Sequence, residues 1–126
     1  SMKFRCSFNM ENKISVIIID DEKDIVDTMS MYLELNNIDV KGMGYNGYDA
    51  YKLFKEKQPD FVILDMKMPD YDGNYAIEKI KKEDPNAKIL VTSGFPKDII
   101  KIEQVIRIFT KPLDMDEFVE EIQKLY

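Results

Sequence analysis

Several reactive side chains in this 126-residue chain sit directly after short apolar runs. Asp20 and Asp21 follow residues 14–19, Asp65 follows 61–64, Thr92 and Ser93 follow 89–91, and Thr110 and Lys111 end a brief run that starts at Arg107. Three carboxylates brought to one place repel one another strongly unless a cation sits among them. Oxygen-only donors favour a hard ion, and Mg²⁺ characteristically takes one or two carboxylates while keeping several waters. Lys111 adds a compact positive charge on the other side. A metal and a lysine so placed suit the charge of a phosphoryl group in transit, which is most of what catalysing its transfer requires. A carboxylate can itself be the nucleophile and form an aspartyl phosphate. These residue types therefore point to phosphoryl acceptance.

Such convergence needs a scaffold that brings the ends of the runs together. Residues 14–19, 61–64 and 89–91 are β-branched and nearly continuously apolar, the pattern of strands buried on both faces of a parallel sheet. Residues 39–45 predict a weaker strand, interrupted by Gly42 and Gly44, and Arg107–Thr110 a brief one. Between them the apolar spacing predicts helices over 23–36, 48–57, 75–83 and 114–125, the first closed by Asn36-Asn37, the second by Pro59 and the third by Pro85. The segment from Pro96 to Gln104 is ambiguous but helical in character. Strand and helix alternate five times, which implies an α/β fold with a parallel sheet covered by helices on both faces. In such sheets ligands bind outside the carboxyl ends of the strands, where the reactive residues lie.

Composition bounds the rest. With 44% hydrophobic and 33% charged residues the chain has the make-up of one ordinary globular domain. That domain is expected over residues 13–126, behind an unpatterned tail at 1–12 whose leading Ser1 has the look of a cloning remnant. A net charge of −6 argues against nucleic-acid binding by this domain. The lone Cys6 excludes an internal disulfide, the absence of histidine removes the usual zinc sets, and a single thiol suits a cytoplasmic setting. No apolar run is long enough to cross a membrane.

Asp20-Asp21-Glu22, Asp65-Met66-Lys67-Met68-Pro69, Asp72-Gly73, Ser93-Gly94 and Lys111-Pro112 together resemble the receiver domains of two-component response regulators, over nearly the whole chain. The resemblance implies a flavodoxin-like, doubly wound five-stranded sheet in the order 2-1-3-4-5. It implies that Asp65 is the phosphoacceptor, that Asp21 ligates Mg²⁺ directly with Asp20 alongside, and that Asp65 and the Met66 carbonyl complete the metal site. Ser93 would be the switch hydroxyl and Lys111 the lysine that pairs with the phosphoryl oxygens, with a cis bond before Pro112. Ser93 is preferred to Thr92 because alternation sends the two side chains to opposite sides and Gly94 leaves room for phosphate. The implied partners are a histidine kinase or phosphotransfer protein as donor and a downstream protein target. The chain would act as a monomer or weak homodimer, a switch rather than a turnover enzyme.

Two departures stand out. Only 18 positions separate Ser93 from Lys111, about four fewer than in the receivers it resembles, or roughly one helical turn, so the fourth helix should be shortened or irregular. Ile108 stands where many receivers carry Tyr or Phe, and Phe109 should face the other way. These departures leave room for a binding module that keeps the fold and signals without phosphorylation. A flavin carrier is disfavoured by the acids after the first strand, and a haloacid-type phosphatase by the adjacency of Asp20 and Asp21. Taken one at a time, the site residues also have bland readings: Asp20-Asp21 as a helix cap, Asp65 as a turn residue, Lys111 as a solvated lysine. Asp70 and Asp72 are expected to be turn chemistry ahead of a helix. The tyrosines at 45, 48 and 51 are expected to be packing, and the methionines soft core filling.

Overall fold

A computed structural model describes residues 13–98 and 102–126. The expected tail with Cys6, and residues 99–101 of the ambiguous segment, lie outside the described residues. Five parallel strands, β1 (Ser15–Ile19), β2 (Asp39–Gly44), β3 (Phe61–Asp65), β4 (Ile89–Ser93) and β5 (Arg107–Thr110), are ordered β2-β1-β3-β4-β5, as the resemblance implied. Four helices connect and cover them: α1 (Lys23–Leu35), α2 (Gly47–Lys57), α3 (Gly73–Glu83) and α4 (Met115–Leu125).

The three central strands are buried along their whole length, which explains their unbroken apolar sequences. Their side chains divide by alternation. Ile17, Ile19, Val62, Leu64, Ile89 and Val91 pack with α2 and α3 on one face. Val16, Ile18, Phe61, Ile63 and Leu90 pack with α1 and α4 on the other. Each fully buried aliphatic or aromatic side chain contributes about 1.5–3 kcal/mol of transfer free energy, so this double core dominates the stability. The edge strands are weaker. The β1–β2 register slips between Val16 and Ile17, and β5 is only partly buried.

Helix boundaries follow from caps. Asn46 accepts the Asp49 N–H at 2.8 Å, and Asp72 accepts the Tyr75 N–H at 3.1 Å, so α2 and α3 begin at Gly47 and Gly73 rather than at Tyr48 and Tyr75. Asp72 thus has the capping role expected of turn chemistry. Asn37 takes the left-handed conformation after α1, with φ of 65°. The expected shortened fourth helix is not an α-helix among the described residues. Two 3₁₀ turns, Pro96–Asp98 and Ile102–Gln104, occupy the β4–β5 connection instead. Every connection returns the chain to start the next strand from the same edge, so all five carboxyl ends share one rim.

Candidate functional site

Because β1 and β3 are adjacent and in register from Val16↔Phe61 to Ile19↔Leu64, the residues that follow them are brought side by side. Asp20 and Asp65 are both buried, at 3% and 5% exposure, while Asp21 is exposed at the mouth. One carboxylate oxygen from each of Asp20, Asp21 and Asp65 lies within 4.8 Å of the others. The Lys111 Nζ reaches across from the end of β5 to Asp65 Oδ1 at 2.8 Å and Asp20 Oδ2 at 3.2 Å. The other oxygen of Asp20 accepts the Glu22 N–H at 3.0 Å. Asp20 therefore does not cap α1, whose N-cap residue Glu22 has no side-chain cap either, and the capping interpretation of Asp20-Asp21 is set aside.

The supporting bonds fix these groups from the backbone. Asp20 N–H donates to Gly44 at 3.1 Å, Met66 N–H to Thr92 at 3.2 Å and Lys111 N–H to Ser93 at 2.9 Å, so each strand end is tied to its neighbour. The Met66 carbonyl accepts the Gly73 N–H at 3.0 Å, which leaves its second lone pair for another partner. Gly73 is required there: a Cβ at that position would lie 2.5 Å from the Met66 sulfur and 2.7 Å from its Cα. The bond between Lys111 and Pro112 is cis, as expected.

A cleft of about 600 Å³ opens above the aspartates, lined by Asp21, Asp65, Met66, Ser93 and Lys111 among others. Ser93 borders it and Thr92 does not, in keeping with alternation along β4. The Ser93 Oγ accepts the Phe95 N–H at 2.9 Å, which aims the hydroxyl at the start of the following loop. Lys67 and Phe95 also line the cleft, with the Lys67 Nζ 5.5 Å from the ring centre. Asn74, in the first turn of α3, lines it as well. The sequence reading missed Asn74, and its place just after the Asp72 cap was the available signal.

The electrostatics are those of a crowded acid site with one cation. Burial pushes the Asp65 carboxyl above the usual carboxylate range. The Lys111 bond opposes this, and the charges of Asp20 and Asp21 add to it. For Lys111, burial alone would lower the ammonium, but the bonds and charges of Asp65 and Asp20 outweigh it and hold the lysine above its ordinary value. Three carboxylates against one ammonium leave net negative charge in a largely desolvated place. The donor set, all oxygen and open on the Asp21 side, fits a hard divalent cation of the Mg²⁺ type.

Beyond the site, Ile108 packs against the α2–α3 core, while Phe109 turns to the opposite face and meets Phe118 edge-on at 4.7 Å. The tyrosine series is only partly packing. Tyr45 is half-buried against the α1–α4 core, but Tyr48 is 45% exposed and sits beside Tyr71. Met29, Met66 and Met68 are core residues, whereas Met31 and Met43 are exposed. No described helix is long and apolar enough to cross a membrane.

Comparison with known proteins agrees with this geometry. Residues 16–123 match the family described as response regulator receiver domain. The chain is 32% identical over 114 residues to the chemotaxis protein CheY of Thermotoga maritima, covering 87% of this chain and 95% of that one. It is 36% identical over 86 residues to the response regulator protein VraR of Staphylococcus saprophyticus, covering 68% of this chain and 41% of that protein. Among solved structures, the response regulator TrrA of Thermotoga maritima in complex with Mg²⁺-BeF superposes with a TM-score of 0.81 at 25% identity, covering 90% of this chain and 99% of that one. CheY from the CheX-CheY-BeF3-Mg complex of Borrelia burgdorferi shares the fold, with a TM-score of 0.81 at 23% identity over 89% of this chain and 88% of that one. The chain belongs to the response regulator receiver domain family, the switch modules of two-component signalling.

Proposed function

We propose that this receiver accepts a phosphoryl group on Asp65 from a phosphohistidine on a kinase or phosphotransfer partner, in a Mg²⁺-dependent step. The observation that carries the reading is Lys111 bridging Asp65 and Asp20 at the floor of an open cleft, with Asp21 and Ser93 on its walls. In the step, an Asp65 oxygen forms a bond to phosphorus as the bond from phosphorus to the donor imidazole breaks. The electron pair returns to the imidazole nitrogen. Lys111 stays within reach of the transferred oxygens and offsets their charge, and the Ser93 hydroxyl turns from the Phe95 N–H to donate to one of them. Asp20, Asp21, Asp65 and the Met66 carbonyl would hold Mg²⁺, which when bound supplies the positive charge that lets phosphate oxygens enter an acid-rich cleft. The aspartyl phosphate is later hydrolysed in the same site, so the domain assists its own modification and its own resetting without being a turnover enzyme. The modified form then binds a downstream protein by a shift in population.

The test is incubation with acetyl phosphate and Mg²⁺, read by intact mass. Wild type should gain one phosphoryl group, and Asp65→Ala should gain none. No gain in wild type, or equal gain in the variant, would refute the assignment. A second reading draws on the reduced β4–β5 connection and Ile108: a module that binds its partner in one form only. It predicts a partner complex of equal affinity for wild type and Asp65→Asn.

A further inference from the structure

Ile108 stands where many receivers carry Tyr or Phe, and the site has another physical connection to the surface. The loop between β3 and α3 starts at Asp65 and Met66 and ends at Gly73, whose N–H holds the Met66 carbonyl. In the middle of that loop Tyr71 has a φ of 52°, a left-handed conformation that a bulky side chain adopts only when its surroundings hold it there. Two contacts do so. The Tyr71 carbonyl accepts the N–H of Gly47, the first residue of α2. The Tyr71 ring sits between Tyr75 of α3, 4.8 Å away, and Tyr48 of α2, 6.0 Å away.

Gly47 makes the close approach possible, because a Cβ there would overlap the Tyr71 carbonyl oxygen and lie 2.7 Å from that of Asp72. The start of α2 is therefore seated directly on the backbone of the acceptor loop. Tyr48 and Tyr75 continue the contact onto an exposed seam where Lys52, Lys55 and Lys79 lie over tyrosine rings. None of these three lysines has a carboxylate partner among the described residues.

We propose that the β3–α3 loop, clamped to α2 through Tyr71 and Gly47, carries the state of Asp65 to the α2–α3 face. This inference rests on Asp65 being the acceptor. Drawing the Met66 carbonyl toward a cation, or charging Asp65, shifts the loop at its first residues. The bond from Gly73 and the clamp at Gly47 leave the loop few ways to absorb that shift locally. A left-handed Tyr71 is held by these contacts rather than by its own preference, so a displacement of the loop changes its carbonyl direction and, with it, the bond to Gly47.

The experiment is amide NMR with hydrogen exchange on the full chain, before and after Mg²⁺ and beryllofluoride, with ¹⁹F NMR reporting beryllofluoride at Asp65. Resonances of Gly47, Tyr48 and Tyr71 should move together with those of Asp65 and Met66, and exchange at the Gly47 N–H should speed up several-fold as the Tyr71 carbonyl turns away. In Gly47→Ala the ¹⁹F signal should persist while the response at Tyr48 disappears. Tyr71→Gly, which frees the strained backbone and removes the ring, should reduce the Gly47 response and serves if the alanine variant fails to fold. A bound ¹⁹F signal with Gly47 and Tyr48 unmoved overturns the coupling alone, as does a full response in the variants. Absence of any bound ¹⁹F signal in wild type overturns the acceptor assignment, and the coupling with it.

Discussion

The two ends of β4 and β5 behave differently. At their carboxyl ends Ser93 and Lys111 border the acidic cleft, tied together by the Lys111 N–H to Ser93 bond. Among the described residues, the connection that leaves Ser93 and returns to β5 contains two 3₁₀ turns and no α-helix, and β5 itself is half exposed. The difference teaches that a site and its readout are built from different kinds of constraint. A charged site depends on a few atoms at fixed distances. A readout depends on how a surface element packs, and packing can be rearranged while the site is kept.

The strongest way to break that comparison is to damage the site while sparing the connection. Lys111→Met leaves Asp65 and Asp20 buried without their cation. Phosphoryl acceptance should fall by about 10²-fold, the usual scale for losing one charge-stabilising donor. Stability at neutral pH should fall by about 2 kcal/mol, less than for a fully buried pair because Lys111 is 28% exposed. The sign of the pH dependence follows from Asp65, whose folded pKa lies above the unfolded value. The native state then holds the extra proton, so stability falls as pH rises through the raised range. Lys111, also raised, stabilises below the ordinary lysine range and loses that contribution as pH climbs through its folded value. The variant should therefore recover stability as pH is lowered from neutral, more than wild type does. Urea titrations across pH give the comparison, and a flat difference between the two proteins would contradict it.

A smaller effect separates the open mouth from the buried floor. Wild type should gain about 2.7 kcal/mol at a Mg²⁺ concentration one hundred times its Kd, and chelation should remove the gain. In Asp21→Asn the same ion concentration should give well under half of it. Asp21 is exposed, so the substitution costs little by itself, and thermal melts with and without EDTA suffice. Equal stabilisation of both proteins would remove Asp21 from the ligand set.

Much of this was legible in the sequence for a simple reason. Residues 16–19, 61–64 and 89–91 are buried on both sides, so burial wrote itself as an unbroken apolar run. A strand end can face only one rim, so Asp20, Asp65, Ser93 and Lys111 could be placed without coordinates. The starts of α2 and α3 were legible less well, because Asn46 and Asp72 act through a side-chain oxygen on one N–H rather than through periodicity. The form of the β4–β5 connection was not legible. A short Pro- and Ile-containing segment has no periodicity long enough to separate an α-helix turn from 3₁₀ turns. The left-handed Tyr71 was hidden too: its conformation is imposed by Gly47 and two rings from distant parts of the chain, and tyrosine carries no preference for it.

Ile108→Tyr tests the β5 side of this comparison directly. Ile108 is partly buried against the α2–α3 core, so a larger ring should cost about 1 kcal/mol from overpacking and leave the rate of phosphoryl acceptance unchanged. A changed rate would mean that the β5 position still communicates with Asp65 and that the two ends are less separable than the structure implies. Stopped-flow modification with acetyl phosphate, next to a urea titration, reads both quantities.

The finest distinction lies within the site, between gaining the phosphoryl group and losing it. Lys67 and Phe95 stand two residues beyond Asp65 and Ser93, on the cleft wall, with the Lys67 ammonium 5.5 Å from the Phe95 ring centre. A cation over an aromatic face is held there by about 0.5–1 kcal/mol when exposed, which biases both side chains toward part of the cleft mouth. Phe95 is itself 59% exposed, so the pair forms a movable rim rather than a plug. On the proposed function, a docking donor imidazole would displace the rim, whereas a lone water would have to find its line of attack with the rim in place. Lys67→Ala and Phe95→Ala should therefore shorten the aspartyl-phosphate lifetime several-fold while changing its formation far less. The decay is followed by intact mass after the phosphodonor is removed. Equal lifetimes in both variants and wild type would show that water reaches Asp65 by another route.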